Sequence, residues 1–237
     1  MNRRTVLAVA GATALGGIAG CLGDGDDSAT AANEFDYELY SPRNGPDVPL
    51  VPVEDAYEWY KNDEARFVDA RGRAQYDEAR IKGAVFSPAK AAGDVDDDPV
   101  EEWSTDTRIV TYCQCPHHLS SQRAASLIEA GYEHAYAIDE GLRGWINSGY
   151  PLEGSAVDAE WQKYEINGTT DSQYAGEMVT LEQLEKDRSE IAPIQDDGSY
   201  TLQLHYAGST DSRFRVVAPD YTVEGTLEEL TNETVSG

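Results

Sequence analysis

The chain has 237 residues, which allows one large domain or two small ones and excludes a large multidomain assembly. Its 18 Lys and Arg residues against 44 Asp and Glu residues give a formal net charge of -26. Such a charge repels nucleic acid and anionic lipid, so we expect no nucleic-acid partner. The acid-rich, lysine-poor composition is typical of a surface that stays hydrated in concentrated salt, and it predicts a halophilic source.

The first twenty-one residues are typical of an export signal. Arg3 and Arg4 precede an apolar run over residues 6–19, which is shorter than the roughly 20 residues that span a bilayer. The paired arginines resemble a twin-arginine signal, and the Ile-Ala-Gly-Cys sequence ending at Cys21 resembles the lipobox of exported lipoproteins. The resemblance implies that residues 1–20 are removed and that a lipid on Cys21 holds the protein outside the cell membrane. An uncleaved N-terminal anchor is the alternative.

Composition divides the remainder into three segments. Residues 21–48 begin with a small, acidic stretch and predict a flexible tether. Residues 49–154 alternate short apolar strands with short helices, a pattern typical of an α/β domain with a parallel sheet and helices on both faces. Residues 159–237 contain alternating strands and predict a smaller β-rich domain of unknown role.

The elements can be predicted in chain order. The α/β segment predicts a helix over 54–62, a strand over 66–69, a helix over 75–80, strands over 83–86 and 108–112, a helix from Ser120 or Ser121 to Gly131, a strand over 135–138 and a helix over 142–147. The last segment predicts strands over 160–166, 200–206, 213–218 and 221–223, and a helix that could open at residues 180–183.

The segment from Cys113 to Ser121 carries the candidate chemistry. Cys113 follows an apolar, β-branched strand and precedes a helix, so a loop there aims backbone N–H groups and the positive helix end at one point. Such a loop stabilises a thiolate, lowering its pKa from about 8.5, and holds an approaching anion. The predicted nucleophile is Cys113, with Cys115 as the alternative. The predicted substrate-binding loop comprises Gln114, Cys115, Pro116, His117, His118, Leu119, Ser120 and Ser121.

Several short motifs resemble the rhodanese family in order and spacing over residues 50–154. They are Phe67-Val68-Asp69-Ala70-Arg71, Arg80-Ile81-Lys82-Gly83-Ala84, the strand over 109–113, Gly131-Tyr132, Gly141-Leu142-Arg143-Gly144-Trp145 and Gly149-Tyr150-Pro151-Leu152. The resemblance implies a rhodanese-like five-stranded parallel sheet and a sulfurtransferase that works through a cysteine persulfide. It also implies a sulfur-containing anion such as thiosulfate as donor, cyanide or a thiol as acceptor, and no cofactor.

The spacing does not choose between the two cysteines. Six residues separate Cys113 from Ser120, four separate Cys115 from Ser120 and five separate Cys115 from Ser121. The last of these matches the usual spacing of the family, which the resemblance implies. We favour Cys113 because it directly follows the strand, whereas Cys115 is held within the loop by Pro116.

Other functions use the same residues. Cys113, Cys115, His117 and His118 carry the thiolate and imidazole ligands of a soft-metal site for copper or zinc, although four ligands so close in sequence seldom reach one centre. A disulfide between the two cysteines would close a small, strained and reactive ring. An inactivated domain that serves as a binding module is a third alternative.

A phosphatase or arsenate reductase of similar fold is disfavoured. That chemistry needs an arginine to hold a tetrahedral oxyanion, and the corresponding positions are Leu119 and Ser121. The loop contains no Lys or Arg before Ser120, so His117 and His118 are its only source of positive side-chain charge. They predict faster turnover with thiosulfate toward mildly acidic pH.

Overall fold

The structure is a computed structural model that describes residues 30–43, 45–114 and 117–237. The predicted export signal over 1–20, the lipidation site Cys21, and Cys115 and Pro116 of the predicted loop lie outside these residues. Among the residues described, no helix has the length and apolar character needed to cross a membrane.

A mostly parallel sheet forms the centre of the first region. The strands described there are β1 (Leu39–Tyr40), β2 (Val48–Val51), β3 (Arg66–Asp69), β4 (Arg80–Ile81), β5 (Val85–Phe86), β6 (Ile109–Tyr112), β7 (Ala135–Ile138) and β8 (Leu152–Glu153). Within the described chain the large sheet has the order β1-β2-β7-β6-β3-β5, and β4 pairs with β8 separately. The strands from β2 to β5 in that order are parallel, and β1 joins β2 as an antiparallel edge. The predicted five-stranded parallel sheet is confirmed, with β1 added at its edge.

Helices cover both faces of this sheet, as predicted. They are α1 (Val53–Lys61), α2 (Arg73–Glu78), α3 (His118–Glu129) and α4 (Gly141–Asn147). Trp59 of α1 and Trp145 of α4 are buried on one face, and Ala124 and Ile128 of α3 are buried on the other. Because both faces are covered, every residue of the central strand β6 is buried.

Helix α3 begins earlier than predicted. Its first residue is His118, and the preceding His117 adopts a left-handed conformation with φ of 76°. The hydroxyl of Ser120 lies 3.3 Å from the Cys113 sulfur, and the hydroxyl of Ser121 donates to the carbonyl of His117. These two serines therefore lie inside the first turns of the helix instead of capping its N-terminus.

The predicted tether is too long at its carboxyl end. Phe35 and Tyr37 place their rings 5.3 and 6.1 Å from the ring of Trp59, and β1 extends the sheet. Arg43 donates a 2.7 Å hydrogen bond to the carbonyl of Ala175 in the second region. Sequence polarity hid this packing because the aromatic anchors are spaced singly between polar residues.

The second region is β-rich, as predicted. Its elements are β9 (Gln162–Thr169), β10 (Met178–Gln183), β11 (Ser189–Pro193), β12 (Ser199–Tyr206), β13 (Arg213–Val217), β14 (Thr222–Thr226) and α5 (Leu227–Asn232). The described strands form the antiparallel sheets β11-β10-β13-β14 and β12-β9. Their inward side chains, including Leu202, Leu204 and Phe214, build a core of their own.

The helix predicted to open at residues 180–183 is wrong. These residues belong to β10, whose alternating burial places Val179, Leu181 and Gln183 inside. β10 pairs with β11 on one side and β13 on the other, so its backbone hydrogen bonds are satisfied by the sheet.

Close contacts join the two regions. A Cβ at Gly72 would lie 2.6 Å from the carbonyl oxygen of Asp187, so the backbones meet here at a distance that only glycine allows. The amide of Ala74 donates to the same carbonyl at 2.9 Å. Arg188 pairs with Glu78 across the contact. The β-rich region is therefore packed directly on the α/β region near α2.

Candidate active site

The candidate nucleophile Cys113 lies at the carboxyl end of β6, in the middle of the parallel strands. Its sulfur is 3.3 Å from the Ser120 hydroxyl, and the amide of Leu142 donates to its carbonyl at 2.8 Å. The N-terminal turn of α3 follows two residues after the undescribed part of the loop. This is the edge of an open parallel sheet at which ligands usually bind.

The thiol of Cys113 is covered. Its residue is only 1% exposed, and it belongs to an apolar cluster with Ala70, Ala89, Leu119 and Ile191. Ile191 comes from β11, so the β-rich region contributes to this cover. The local sequence pattern predicted a reachable thiol because nothing in it places β11 over Cys113.

Burial raises the pKa of Cys113, so the lowered pKa predicted from the loop is wrong for this residue in the described conformation. Burial is the largest cause, and hydrogen bonds from the Ser120 hydroxyl and from the amides of Ser120 and Leu119 act in the opposite direction. The predicted convergence of amides on the sulfur is therefore present. It is outweighed by the cost of placing a charge in an apolar cluster.

Gln114 is tied to the base of the loop. Its side chain is buried, and its Oε1 accepts a 2.9 Å hydrogen bond from Arg71 Nη1. Arg71 also pairs with the buried Asp69 at 2.6 Å and donates to the carbonyl of Ala79. Because its acceptor oxygen is taken by Arg71, Gln114 serves to position the loop.

His117 and His118 face different elements. The Nε2 of His117 lies 3.0 Å from Oδ1 of Asp139, and its ring centroid lies 5.3 Å from that of Tyr40. His118 hydrogen-bonds the backbone of Ile191. Burial lowers the pKa of both histidines, so both are mostly neutral near pH 7 and supply little of the positive charge expected for an anionic donor.

Leu119, Ser120 and Ser121 are buried. The carbonyl of Ser120 accepts a 2.9 Å hydrogen bond from the Thr111 hydroxyl, which fixes α3 against β6. Of these three predicted loop residues, Ser120 contacts the thiol through its hydroxyl, while Leu119 packs beside it.

A cleft of about 800 Å³ opens beside α3, between the 93–98 loop and the β-rich region. Ser121 and Arg123 line it, together with acidic side chains such as Asp94 and Glu101. Cys113 does not line this cleft. Arg123 pairs with Asp98 and donates to the Ser87 hydroxyl. Arg43 and Lys90 also line the cleft, so it carries charges of both signs.

Glu190 is a buried acid that was not among the predicted site residues. This residue is 4% exposed, and its carboxylate accepts a 2.8 Å hydrogen bond from Gln75 Nε2 of α2. A signal was available: Glu190 is an acid within the buried strand β11, Ser189–Pro193. Buried carboxylates are rare unless they are paired or functional.

The soft-metal alternative concerns Cys113, Cys115, His117 and His118. Across the described ranges, no group of three or more His, Cys, Asp or Glu side chains is arranged to hold a metal ion. Cys115, one of the four candidate ligands, lies outside those ranges.

The parallel sheet, the helices on both faces and the cysteine at the end of the middle strand define an α/β domain of the rhodanese type. Comparison with known proteins agrees: residues 52–148 match the model of the rhodanese-like domain family. Residues 52–148 are therefore a rhodanese-like domain.

Two curated proteins are similar to this part of the chain. Thiosulfate sulfurtransferase GlpE of Glaesserella parasuis is 29% identical over 104 residues, which cover 44% of this chain and 91% of that protein. The protein of the same name from Actinobacillus succinogenes is 28% identical over 104 residues, covering 44% of this chain and 88% of that protein. The solution structure of the rhodanese-like domain of the Alr3790 protein from Anabaena sp. is 24% identical, covers 46% of this chain and 80% of that chain, and has a TM-score of 0.41.

Proposed function

We propose that the chain is a sulfurtransferase that moves sulfane sulfur from a donor such as thiosulfate to a thiophilic acceptor. The observation that carries the proposal is the position of Cys113 at the end of the middle parallel strand of a rhodanese-like domain, with the amides of Leu119 and Ser120 directed at its sulfur. The similar proteins named thiosulfate sulfurtransferases support the same chemistry.

The reaction proceeds in two displacements. The cysteine thiolate attacks the sulfane sulfur of thiosulfate, the sulfur–sulfur bond of the donor breaks, and sulfite leaves with the bonding electron pair. The enzyme then holds a cysteine persulfide. Cyanide or an acceptor thiolate attacks the outer sulfur and regenerates the cysteine thiolate.

Because Cys113 is buried, its thiol has to become accessible before this cycle can begin. A persulfide adds one sulfur atom to a side chain that is only 1% exposed, so the apolar cluster has to open for Cys113 to react. Ile191 of β11 is the buried side chain that the β-rich region contributes to this cover. Cys115 is the alternative nucleophile, and its use would leave the Cys113 cluster closed.

Persulfide mapping tests the function and the choice of cysteine together. The reduced protein is exposed to thiosulfate in molar salt, excess donor is removed, and the loop peptide is analysed by mass spectrometry. We expect one added sulfur atom, lost in Cys113→Ser and retained in Cys115→Ser. Retention in Cys113→Ser with loss in Cys115→Ser would assign the nucleophile to Cys115, and no added sulfur in the wild-type protein would remove the enzymatic proposal.

A non-enzymatic binding module is the second candidate, because one observation favours it. A thiol with a raised pKa and almost no exposure is the form expected of a domain that has lost turnover. The same experiment separates the two candidates, because a binding module gains no sulfur from thiosulfate on either cysteine.

We also propose that the protein is exported, lipid-anchored through Cys21 and adapted to concentrated salt. The twin-arginine and lipobox resemblance supports the anchor, and the net charge of -26 supports the salt adaptation. Membrane fractionation of the wild-type protein and of Cys21→Ala tests the first part. A Cys21→Ala variant that stays with the membrane would contradict the lipid anchor. A wild-type protein that gains no stability from molar salt would contradict the salt adaptation.

A further inference from the structure

One face of strand β10 is directed at the rhodanese-like domain. Val179 and Leu181 of this strand point into the core of the β-rich region, so the alternate residue Met178 lies on the opposite face. Met178 packs against the apolar cluster that contains Cys113. Ile191, on the neighbouring strand β11, is a member of the same cluster. The β-rich region therefore presents two side chains to the cluster that encloses the thiol.

These two side chains differ in their exposure. Ile191 is 3% exposed, whereas Met178 is half-buried and lines the cleft of about 800 Å³ beside α3. Met178 thus has the cluster of Cys113 on one side and the cleft on the other. At this residue the cleft borders the cover of the thiol.

Two further elements form the same boundary. In the first turns of α3, Ser121 lines the cleft, while the hydroxyl of the adjacent Ser120 lies 3.3 Å from the sulfur of Cys113. A short 3₁₀ helix is arranged in the same way, since its Lys90 lines the cleft and its Ala92 belongs to the cluster. The cleft therefore ends against the elements that enclose the thiol.

The side chain of Met178 is suited to a boundary that moves. Methionine is unbranched and has three rotatable bonds, so it can change its conformation without a shift of the backbone. Ile191 is branched at Cβ, which restricts its side chain, and it is almost fully buried. Of the two side chains, Met178 is the one that can move aside while the two regions stay packed together.

We propose that the cleft beside α3 is the route by which the sulfur acceptor reaches Cys113, and that Met178 is a specificity-determining residue at its inner end. The proposal rests on the proposed function in that Cys113 carries the transferred sulfur. The acceptor thiolate attacks the outer sulfur of the Cys113 persulfide. The bond between the two persulfide sulfurs breaks, and the sulfur of Cys113 keeps the electron pair.

The size and charge of the cleft indicate the class of acceptor. A cleft of about 800 Å³ is in the range that holds a ligand with an organic body, and cyanide, with two heavy atoms, does not need it. The exposed Lys90 and Glu177 line the cleft, so polar groups of either charge find a partner there. The acceptor that fits is an organic thiol.

The test compares the alkylation of Cys113 by a small and a bulky reagent with the same reacting group, iodoacetamide and N-benzyl iodoacetamide. The full chain is used in molar salt, and fragmentation of the loop peptide in the mass spectrometer assigns the modified cysteine. We expect Met178→Ala to raise the ratio of the bulky to the small rate by about 10-fold. This is the lower end of what one methylene group is worth in a fitted apolar site.

Val179→Ala is the matched control, because Val179 is the next residue of β10 and is fully buried in the core of the β-rich region. It is expected to leave the ratio at the wild-type value. An unchanged ratio in Met178→Ala overturns the proposal, as does an equal rise in Val179→Ala. A Cys113 that neither reagent modifies in any of these proteins also overturns it.

Ser126→Trp tests the route from the other wall of the cleft. Ser126 is an exposed residue of α3 that lines the cleft and is not part of the Cys113 cluster. We expect this variant to lower the ratio of the bulky to the small rate. If Met178→Ala does not fold, an unchanged ratio in Ser126→Trp overturns the proposal.

The class of acceptor is tested on protein that already carries the persulfide. We expect Met178→Ala to speed the discharge of the persulfide by cysteine and to leave the discharge by cyanide unchanged, and equal acceleration of both overturns the assignment of an organic thiol. Alkylation needs no sulfur donor, so failure of the proposed function is recognised separately. A protein that forms no persulfide but shows the changed size ratio loses the proposed function and keeps the route to Cys113.

Discussion

Arg71 joins the sheet edge to the candidate active-site loop, with its Nη1 2.9 Å from Oε1 of Gln114 and its Nη2 2.6 Å from Oδ2 of Asp69. All three side chains are buried. Removal of Gln114 leaves one buried charged donor without its acceptor, whereas removal of Arg71 leaves a buried carboxylate without its cation. Because the two substitutions leave different groups without a partner, we expect them to lower the free energy of unfolding by different amounts.

We expect Gln114→Leu to lower the free energy of unfolding by about 1–3 kcal/mol and Arg71→Met to lower it by about 3–5 kcal/mol. Urea unfolding in molar salt measures both. Gln173→Leu, at an exposed glutamine of the β-rich region, is the matched control and should change stability by less than about 0.5 kcal/mol. Equal losses in Gln114→Leu and Gln173→Leu would show that the loop does not depend on Arg71.

Local patterns predicted four of the five parallel strands, and β2, Val48–Val51, was the one they missed. The strand β3, Arg66–Asp69, and the strand β7, Ala135–Ile138, were predicted at their observed bounds, because continuous apolar runs between polar breaks have few other readings. Residues 180–183 and 226–229 have nearly the same sequence, yet the first are strand and the second begin α5 behind a capping box at Thr226. The difference comes from the neighbours of β10 in the sheet, which no local pattern contains.

The position of the candidate site was predicted from the sequence, but the burial of its thiol was not. The sequence placed Cys113 at the end of a buried strand, and the amides of α3 do approach its sulfur. Its burial depends on Ile191, which lies 78 positions later in the chain. Contacts between regions so far apart in sequence set the pKa of the thiol, so periodicity and spacing could not supply it.

The cover over Cys113 can be tested by shortening Ile191. We expect Ile191→Ala to speed the alkylation of Cys113, because its side chain is part of the apolar cluster around the thiol. The same change should lower the free energy of unfolding by about 2–5 kcal/mol. Alkylation at fixed pH, followed by mass spectrometry, measures the first effect.

Ile194→Ala is the matched control for this variant. Ile194 is 2% exposed, against 3% for Ile191, but it packs in the separate core of the β-rich region. We expect a similar loss of stability without faster alkylation of Cys113. Equal acceleration in both variants would mean that general loosening, and not the removal of the cover, exposes the thiol.

Burial raises the pKa of Glu190 to about 7, and this has a consequence for stability. The folded state holds this proton up to about pH 7, whereas the ordinary value for the group is 4.5. Between these two pH values the folded state binds more protons than the unfolded state. The contribution of Glu190 to the free energy of unfolding is therefore complete below about pH 4.5 and is lost as the pH rises toward 7. A difference of this size corresponds to about 3 kcal/mol at most.

Urea unfolding at pH 5 and pH 7.5 in molar salt measures this loss. We expect Glu190→Gln to remove most of the decrease attributable to this group, because the amide does not titrate. Glu228→Gln, at an exposed position, should keep the wild-type dependence. A Glu190→Gln variant with the same loss of stability between the two pH values as wild type would show that Glu190 does not carry it.

The pH dependence of turnover follows from the thiol and the histidines together. Burial raises the pKa of Cys113 and lowers the pKa of His117 and His118. Near neutral pH the histidines are then mostly uncharged, so the acidic acceleration expected from the sequence loses its support, and the thiolate fraction limits the rate. We expect kcat/KM for thiosulfate to increase with pH from about 6.5 to above about 8.5. Initial rates at constant molar salt measure this profile, and a maximum on the acidic side of neutrality would contradict the assignment of Cys113 as the nucleophile.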